Sequence, residues 1–478
     1  MLETRGLRPA RRGAAECPRR RHRVNRRCVV AERPVQRLKS EMSQRDLFTD
    51  ERRLFEELCR IEWLEAGFRR VKQNKGSPGV DGVTIAEFES RLDEELGRLQ
   101  GDLESWRYKP SAVRRVEIPK PGGRGIRLLG VPTVRDRVVH ATLKLLLEPI
   151  FEPLFCAHSY GFRPGRNQGQ AVEAARKLVA GGKPYVVDLD LSKFFDRIHH
   201  DRLITRLGQR VADKRIVRLI GLILRSGIMA HGLVTPSTEG AVQGSPLSPL
   251  LSNIVLDELD KELERRGLEF CRFADDCNIF VRTPKAAERV MASVSGYIEK
   301  RLKLVVNRDK SQVARSDRVK FLGMTIVGAT IAVSRQALQR AMDKVKELTP
   351  RGTHQRLEAT IAEINRWYVG WSSYFAMTYY PAQLKKIEAH IRRRLRSRLV
   401  DQQKSQRNLL RKLVKRGVPR PQAAQAVYSH KARWALSNTR AVNKAYPPGW
   451  FTGQMGQVIR SDKQLAHWFD VTQWIPLA

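Results

Sequence analysis

The spacing of apolar residues divides the chain into a region of helices and strands, called the mixed region, and a region of helices alone, called the helical region. Apolar residues recur every three to four positions from Asp50 to about Val71, which predicts a helix. From Val113 to Pro132, two strand-like runs flank a glycine-rich turn and predict a β-hairpin. Further strands are predicted at 185–191, 270–281 and 320–326, and further helices at 135–150 and 284–303. Beyond Ser334 the pattern is almost wholly helical, so the fold class is predicted to be α+β.

Four segments follow from this pattern. Residues 1–41 hold 13 basic and 4 acidic residues with almost no apolar periodicity, which predicts a disordered basic tail. A second methionine, Met42, suggests that the start codon is mis-assigned, and an RNA-binding tail is the alternative. The mixed region is assigned to residues 42–334 and the helical region to 335–418. Residues 419–478 are expected to form a small C-terminal region that binds DNA or RNA.

The net charge narrows the choice of partner. The 478 residues carry a formal net charge of +39, which favours a polyanion such as nucleic acid. The alternatives are a merely soluble basic protein and one that sits on anionic membrane. The sequence has no run of 18 apolar residues, so no membrane span is expected. Six scattered cysteines without a Cys-x-x-Cys pair fit a reduced, cytoplasmic protein.

Three carboxylates stand at predicted strand ends in apolar surroundings. Asp190 ends one strand, and Asp275 and Asp276 occupy the turn between two others. The pair alone would fit an ordinary hairpin turn, since aspartate favours turns. The flanks, from Phe270 to Val281, are too apolar for an exposed hairpin, so the acids need another reason. Phosphoryl transfer supplies one, because it uses two hard cations, about 3.5–4 Å apart, held by oxygen ligands.

These residues carry a resemblance to a known family. Phe273-Ala-Asp-Asp276 resembles the core tetrad of reverse transcriptases, in which the first residue is more often tyrosine. Asp190-Leu-Ser-Lys-Phe-Phe-Asp196 resembles the preceding catalytic motif. Gln243-Gly-Ser-Pro-Leu-Ser-Pro-Leu-Leu-Ser-Asn253 resembles the Gln-Gly motif that packs under the incoming nucleotide. The resemblance implies RNA-directed DNA synthesis in a right-hand polymerase, with fingers, a palm that bears an antiparallel catalytic sheet, and a helical thumb.

The resemblance also implies roles for individual residues. Asp190, Asp275 and Asp276 are expected to be catalytic and to bind two Mg²⁺ ions, with the backbone carbonyl of Leu191 as a further ligand. Phe195 would lie under the sugar and exclude a 2′ hydroxyl, and its alternative is core packing beside Phe194. Nucleotide binding is expected of four residues: Lys120, Arg127, Phe195 and Gln243. For Lys120 and Arg127 the alternative is a solvated charge on a strand.

Ser159-Tyr-Gly-Phe-Arg-Pro-Gly-Arg166 resembles the template-contacting motif of the family. It implies that Arg163 and Arg166 contact phosphate, whereas Tyr160 and Phe162 are as well explained as structural residues. Lys310 is expected at the surface, and protonation of the leaving pyrophosphate is its alternative role.

The flanking segments resemble group II intron-encoded reverse transcriptase/maturases of the bacterial type. Ile118-Pro-Lys-Pro, Leu129-Gly-Val-Pro-Thr133 and Ile364-Asn-Arg-Trp-Tyr-Val-Gly-Trp-Ser-Ser-Tyr-Phe375 carry this resemblance. The last segment looks like the start of the maturase region, where Trp367, Trp371 and Tyr374 are expected to be core residues. Paired Cys and His ligands beyond Cys277 are missing, so the endonuclease domain of larger members is not expected. Residues 385–420 hold 14 basic and 2 acidic residues, and Arg392, Arg393 and Arg396 are expected to contact RNA.

The family implies four partners: group II intron RNA, an RNA template with a DNA primer, dNTPs and target DNA. The enzyme would assist splicing and mobility, act in the bacterial cytoplasm and associate with the nucleoid when it acts on DNA. Two alternatives remain: a maturase whose polymerase is vestigial, and a domesticated or defence-associated relative that no intron encodes. The intact aspartates argue against the first, and the genomic flanks would decide the second.

Overall fold

The computed structural model describes residues 53–119, 125–230, 233–235, 239–350 and 352–451. The predicted disordered tail, residues 1–41, and the nucleotide contact predicted for Lys120 lie outside the described residues. The described part is a mixed α/β region followed by a helical region, as the pattern of apolar residues predicted.

The described residues of the mixed region form ten helices, four of which precede the first strand. They are α1 Leu54–Cys59, α2 Ile61–Gln73, α3 Ile85–Ser90, α4 Leu92–Glu104, α5 Val134–Phe151, α6 Gln168–Ala180, α7 His200–Gly208, α8 Lys214–Leu224, α9 Ser248–Arg265 and α10 Pro284–Tyr297. Short 3₁₀ turns follow at Glu152–Leu154 and Phe194–Arg197, and a π-turn, Ile298–Leu302, extends α10.

The strands of the described residues form three sheets. They are β1 Val113–Pro119, β2 Ile126–Val131, β3 Tyr185–Leu189, β4 Ile228–Ala230, β5 Leu233–Thr235, β6 Glu269–Phe273, β7 Asp276–Val281, β8 Gln312–Arg315, β9 Met324–Val327 and β10 Thr330–Val333. The central sheet has the order β6-β7-β3-β8 and is antiparallel throughout. A second sheet, β2-β1-β4-β5, contains the predicted hairpin, and β9 and β10 pair separately.

The central sheet is buried on both faces, which explains its nearly continuous apolar runs. Side chains alternate along a strand, so Val187 and Ile279 face the core of the mixed region, whereas Val186 and Phe280 face a second cluster. Helix α10 contacts the strands on the first side and α6 on the second. The second cluster also contains Phe375 and Leu384 and so joins the sheet to the helical region.

The residues of the helical region that the structure describes form eight helices. They are α11 Arg335–Leu348, α12 Leu357–Phe375, α13 Pro381–Asp401, α14 Gln406–Lys415, α15 Arg420–Val427, α16 Arg433–Leu436, α17 Arg440–Ala445 and α18 Pro448–Phe451. One apolar cluster runs from Ala341 to Phe451. Residues on both sides of the predicted boundary at 418/419 therefore share this core, and the division into functional domains stays a prediction.

The structure differs from the expected elements in several places. The strand expected at 320–326 begins only at Met324, because Leu322 and Gly323 adopt positive φ. Strand β8 was not expected, and neither was the parallel pairing of β1 with β4. Both involve pairing between segments far apart in the chain, which local periodicity does not encode.

Candidate active site

The pairing of the central sheet brings the three predicted aspartates together. Leu189 pairs with Cys277, so Asp190, the next residue, leaves the strand opposite Asp276. Asp275 lies in the turn between β6 and β7, which Phe273 and Asp276 close as a pair. Antiparallel register thus places the end of β3 beside the acidic turn, as the sequence predicted.

Asp190 is held by the segment 307–311, in which the sequence pointed only to Lys310. Asn307 Nδ2 donates to Asp190 Oδ1 at 3.1 Å, and the Asp190 amide donates to Ser311 Oγ at 3.1 Å. Lys310 Nζ lies 3.5 Å from Asp190 Oδ2, although its side chain is 63% exposed. Lys310 is therefore at the surface, as expected, and also adjacent to the site.

The backbone around Leu191 fixes the direction of its carbonyl. Leu191 forms an antiparallel bridge with Val306, and the flanking bonds run from Asn307 N to Asp190 O and from Ser192 N to Val305 O. In this pattern the peptide groups of the bridged residue point away from the partner. The segment at Val306 lies on the β8 side of the strand, so the Leu191 carbonyl points to the β7 side, where the acidic turn lies.

The electrostatics of the turn disfavour a full set of negative charges. Desolvation raises the pKa of Asp275, and Asp190 adds to this effect, whereas Arg127 opposes it. Asp276 is exposed to solvent, although the surrounding protein removes part of the water from around its carboxylate. That partial desolvation, together with Asp275, Asp188 and Asp190, raises its pKa to about 6. Like charges this close favour a bound cation or proton.

A cleft of about 600 Å³, a size typical of small-molecule sites, adjoins the turn. Its lining includes four of the predicted residues: Asp275, Arg127, Phe195 and Gln243. Gln243 is held by its backbone, since its carbonyl accepts from the Gly130 amide at 2.7 Å. Gly244, with φ of 121°, packs against Gly130 so closely that a Cβ would lie 2.4 Å from the Gly130 oxygen.

One expectation about the Ser159–Arg166 motif was wrong, and an alternative that had been left open is decided. Arg163 is 8% exposed, and it donates to the Glu152 carboxylate at 2.9 Å and to the Cys156 and Ser159 carbonyls, so it fixes the loop and does not reach phosphate. Of the two roles left open for Phe162, the structure favours a contact in the cleft over a structural role, because Phe162 is 45% exposed, has φ of 62° and lines the cleft.

The other two residues of that motif support the loop. Arg166 donates to the Ala157 and Ser159 carbonyls, at 2.5 and 3.1 Å, and lies over the Tyr160 ring. These bonds do not favour the predicted phosphate contact of Arg166. Tyr160 is half-buried against the second cluster of the central sheet, as a structural residue would be.

The arginines of α13 form bonds within the protein, although Arg392, Arg393 and Arg396 were expected to contact RNA. Arg396 Nε donates to the Tyr446 carbonyl at 2.9 Å, and Arg393 Nη2 donates to the Trp434 carbonyl at 3.1 Å and lies over its ring. Arg394 binds Thr349, and Arg398 binds Thr360 and the Gln355 carbonyl. These side chains join α13 to segments before and after it.

A basic cavity on α13 still supports the expected contact with RNA. Arg392, Arg393 and Arg396 line a cavity of about 510 Å³, together with Lys386 and His390. The two arginines that bind Thr349 and Thr360 are not among its lining residues.

Of the three aromatic residues of α12 that were expected to be core residues, two are confirmed. Trp367 and Trp371 pack against the helical core and against each other, with ring centroids 6.0 Å apart. Tyr374 instead is 38% exposed, and its hydroxyl donates to the Leu322 carbonyl at 2.8 Å.

Family profiles and relatives agree with this arrangement. Residues 118–326 match the profile of reverse transcriptase (RNA-dependent DNA polymerase), and residues 338–417 match that of the group II intron maturase-specific domain. Protein YkfC of Escherichia coli (strain K12) is 34% identical over 316 residues, which cover 58% of this chain and 83% of YkfC. The chain belongs to the group II intron reverse transcriptase/maturase family.

More distant relatives share a smaller part of their length. The group II intron-encoded protein LtrA of Lactococcus lactis subsp. cremoris is 31% identical over 46% of this chain and 36% of LtrA. The putative COX1/OXI3 intron 1 protein of Saccharomyces cerevisiae is 33% identical over 43% of this chain and 24% of its own length. The alignments therefore span about a third of LtrA and about a quarter of the yeast protein.

Family membership gives the chain two functions. It is an RNA-directed DNA polymerase, and its maturase-specific domain serves the splicing and mobility of a group II intron. The family depends on divalent metal and binds intron RNA and a template with its primer. Among the described helices, none is long and apolar enough to cross a membrane.

Proposed function

We propose that the acidic turn and the end of β3 form the polymerase centre, in which Asp190, Asp275 and the Leu191 carbonyl hold two Mg²⁺ ions and Asp276 supports them. The observation that carries this proposal is the convergence of Asp275, Arg127, Phe195 and Gln243 on one cleft. When bound, the ions would activate the primer 3′ hydroxyl and offset the charge of the leaving pyrophosphate.

The donor set fits such ions. Carboxylate and carbonyl oxygens are the ligands that Mg²⁺ prefers. Partial desolvation and the mutual repulsion of the aspartates disfavour their full ionisation without a cation. In the described part of the chain, no three Asp, Glu, His or Cys side chains already converge on one point. The carboxylates would therefore close around the ions as these bind.

The cleft residues divide the work of nucleotide binding. Arg127 is exposed at its rim and would pair with the triphosphate, and Lys120 is proposed to do so with it, a charge-assisted contact. Phe195 is half-buried in an edge-to-face contact with Phe194, ring centroids 5.2 Å apart, so it is fixed while it lines the cleft. We propose that it excludes the 2′ hydroxyl of a ribonucleotide.

In this proposal the mixed region provides the fingers and palm, and the helical region provides the thumb, which also grips intron RNA. The basic cavity on α13 is the surface most suited to RNA, because phosphate contacts need charge and no base readout. Target DNA is proposed as a further ligand of the basic C-terminal region.

The metal site is tested by primer extension on an RNA template. Asp275→Ala and Asp190→Ala should each abolish extension and leave RNA binding near that of the wild type. Asp188→Asn is the matched control, since Asp188 is a neighbouring carboxylate on β3 that we do not assign to the ions. Extension well above background in the purified Asp275 variant would contradict the assignment.

The nucleotide cleft is tested by sugar selection. Phe195→Ala should raise incorporation of ribonucleotides while dNTP incorporation continues, because the ring that would contact a 2′ hydroxyl is gone. Competition between a dNTP and its rNTP on one template measures the ratio. An active variant with an unchanged ratio would show that Phe195 only packs the core.

A further inference from the structure

A buried arginine lies directly beneath the acidic turn. Arg272, on β6, is 0% exposed, and its guanidinium pairs with the carboxylate of Asp260 on α9 through two bonds, 2.7 and 2.5 Å long. Asp260 is also 0% exposed, so the pair neutralises two charges that neither could hold alone in the interior.

The other N–H groups of this guanidinium are directed to three different segments. Nη1 donates to the Ala274 carbonyl at 2.8 Å and to Asn253 Oδ1 at 3.1 Å, and Nη2 donates to Ser159 Oγ at 2.8 Å. Asn253 in turn donates to the Gly161 carbonyl at 2.9 Å. The motifs that contain Ser159 and Asn253 thus meet the acidic turn at one side chain.

The turn needs this support because its backbone is strained. Ala274 has φ of 58°, a left-handed conformation that costs a residue with a Cβ about 1 kcal/mol or more. The Gly161 loop lies against it so closely that a Cβ on Gly161 would be 2.2 Å from the Ala274 nitrogen. Ala274 is thus held between its carbonyl bond to Arg272 on one side and the loop on the other.

We propose that Arg272 is a positioning residue for the polymerase reaction, which sets the height and orientation of the turn that carries Asp275 and Asp276. It does so through the Ala274 carbonyl and locks the turn to α9 and to the Ser159–Gly161 loop. The inference rests on the proposed function of that turn. If the guanidinium served stability alone, its ion pair with Asp260 would suffice. It also donates three further hydrogen bonds, one to the turn and one to each of the two motifs around it.

Arg272→Lys is the variant that separates positioning from charge. Lysine keeps the positive charge beside Asp260, but a single ammonium cannot reproduce the planar fork that reaches the other segments. We expect a folded protein with wild-type RNA binding and KM for dNTP, and a kcat about a hundredfold lower, the loss typical of a misplacement near 1 Å. Hydrogen exchange at the amides of residues 273–277 should become faster, which is a readout independent of activity.

Two further variants keep the test decisive if lysine disturbs folding. Arg272→Met combined with Asp260→Val removes both charges together, a change that proteins tolerate better than loss of one partner. Gly161→Ala leaves the ion pair intact and displaces the turn from the other side, and Gly296→Ala, which has open space around it, is its control. The charge-free pair and Gly161→Ala should both lower kcat and accelerate exchange in the turn, and the control should do neither.

The outcomes separate this inference from the proposed function. Wild-type kcat and wild-type exchange at 273–277 in folded Arg272→Lys, or in the charge-free double variant, would overturn the positioning role. If Asp275→Ala still extended primers, the proposed function would fail, whereas hydrogen exchange would still report whether Arg272 holds the turn.

Discussion

The mixed region and the helical region both bury arginines, but they neutralise them differently. Arg272 in the mixed region is paired with a carboxylate and has a fixed partner for both branches of its fork. Arg396 in the helical region is almost as buried, at 7% exposed, and its Nε donates to the Tyr446 carbonyl instead. Burial and the neighbouring Arg392 lower the pKa of Arg396 to about 10.

This contrast shows what each region is built to do. When an arginine is fully paired with a carboxylate, its positive charge is neutralised and attracts no further anion. Such an arginine serves to fix a catalytic turn. Arginines that are held by carbonyls and aromatic faces keep an uncompensated positive charge, which suits a surface that binds a polyanion. The same residue type thus provides precision in one region and attraction in the other.

The largest expected difference lies in stability. Arg272→Met alone should cost about 3–5 kcal/mol of unfolding free energy, because it leaves Asp260 buried without its charge partner. Arg396→Met should cost about 1–2 kcal/mol, since it removes one hydrogen bond to a backbone carbonyl and leaves no buried anion. Urea denaturation monitored separately for each region measures both, and equal losses would contradict the comparison.

A pH effect sharpens the description of the helical region. Glu388, 0% exposed on α13, has its pKa raised to about 7 by burial, against the opposing effects of Arg392, the Tyr368 hydroxyl and Lys385. An acid whose pKa is higher in the folded state binds more protons there, so its contribution to stability falls as pH rises from about 4.5 to about 7. Glu388→Gln should remove this loss and raise stability above pH 7 by at most about 3 kcal/mol.

The measurement is the unfolding free energy at several values between pH 5 and pH 8. Glu358→Gln, an exposed change on the neighbouring helix α12, is the control and should leave the pH dependence unaltered. A Glu388→Gln protein with the wild-type pH slope would show that this carboxyl does not titrate in that range.

The smallest expected effect concerns the electrostatic attraction between the helical region and RNA. Lys386→Gln should reduce the slope of log binding constant against log salt by about 0.7 for single-stranded RNA, because Lys386 lines the basic cavity and is exposed. Arg394→Gln removes the same charge from the same helix, but its guanidinium binds Thr349, so it should lower stability and leave the slope nearly unchanged. Binding isotherms at several KCl concentrations distinguish the two, and equal slopes would place the RNA surface elsewhere.

The sequence by itself determined that a mixed region precedes a helical region and that three carboxylates stand at the ends of apolar strands. Asp190, Asp275 and Asp276 were recognisable because of that position, which a local pattern records. The helical character beyond Ser334 was equally local, since it depends on a spacing of three to four residues. The core positions of Trp367 and Trp371 followed from that same spacing.

Only the tertiary structure decided what the long polar side chains do. Arg163 and Arg396 carry the same sequence signal as an RNA-binding arginine, yet their partners, Glu152 and the Tyr446 carbonyl, are brought near by the fold. The role of Arg272 could not be predicted from its sequence motif, because that motif is identified by the two aspartates that follow. A guanidinium reaches several ångströms from its own backbone, so its function depends on which distant segments fold against it, and that information lies in no local stretch of the chain.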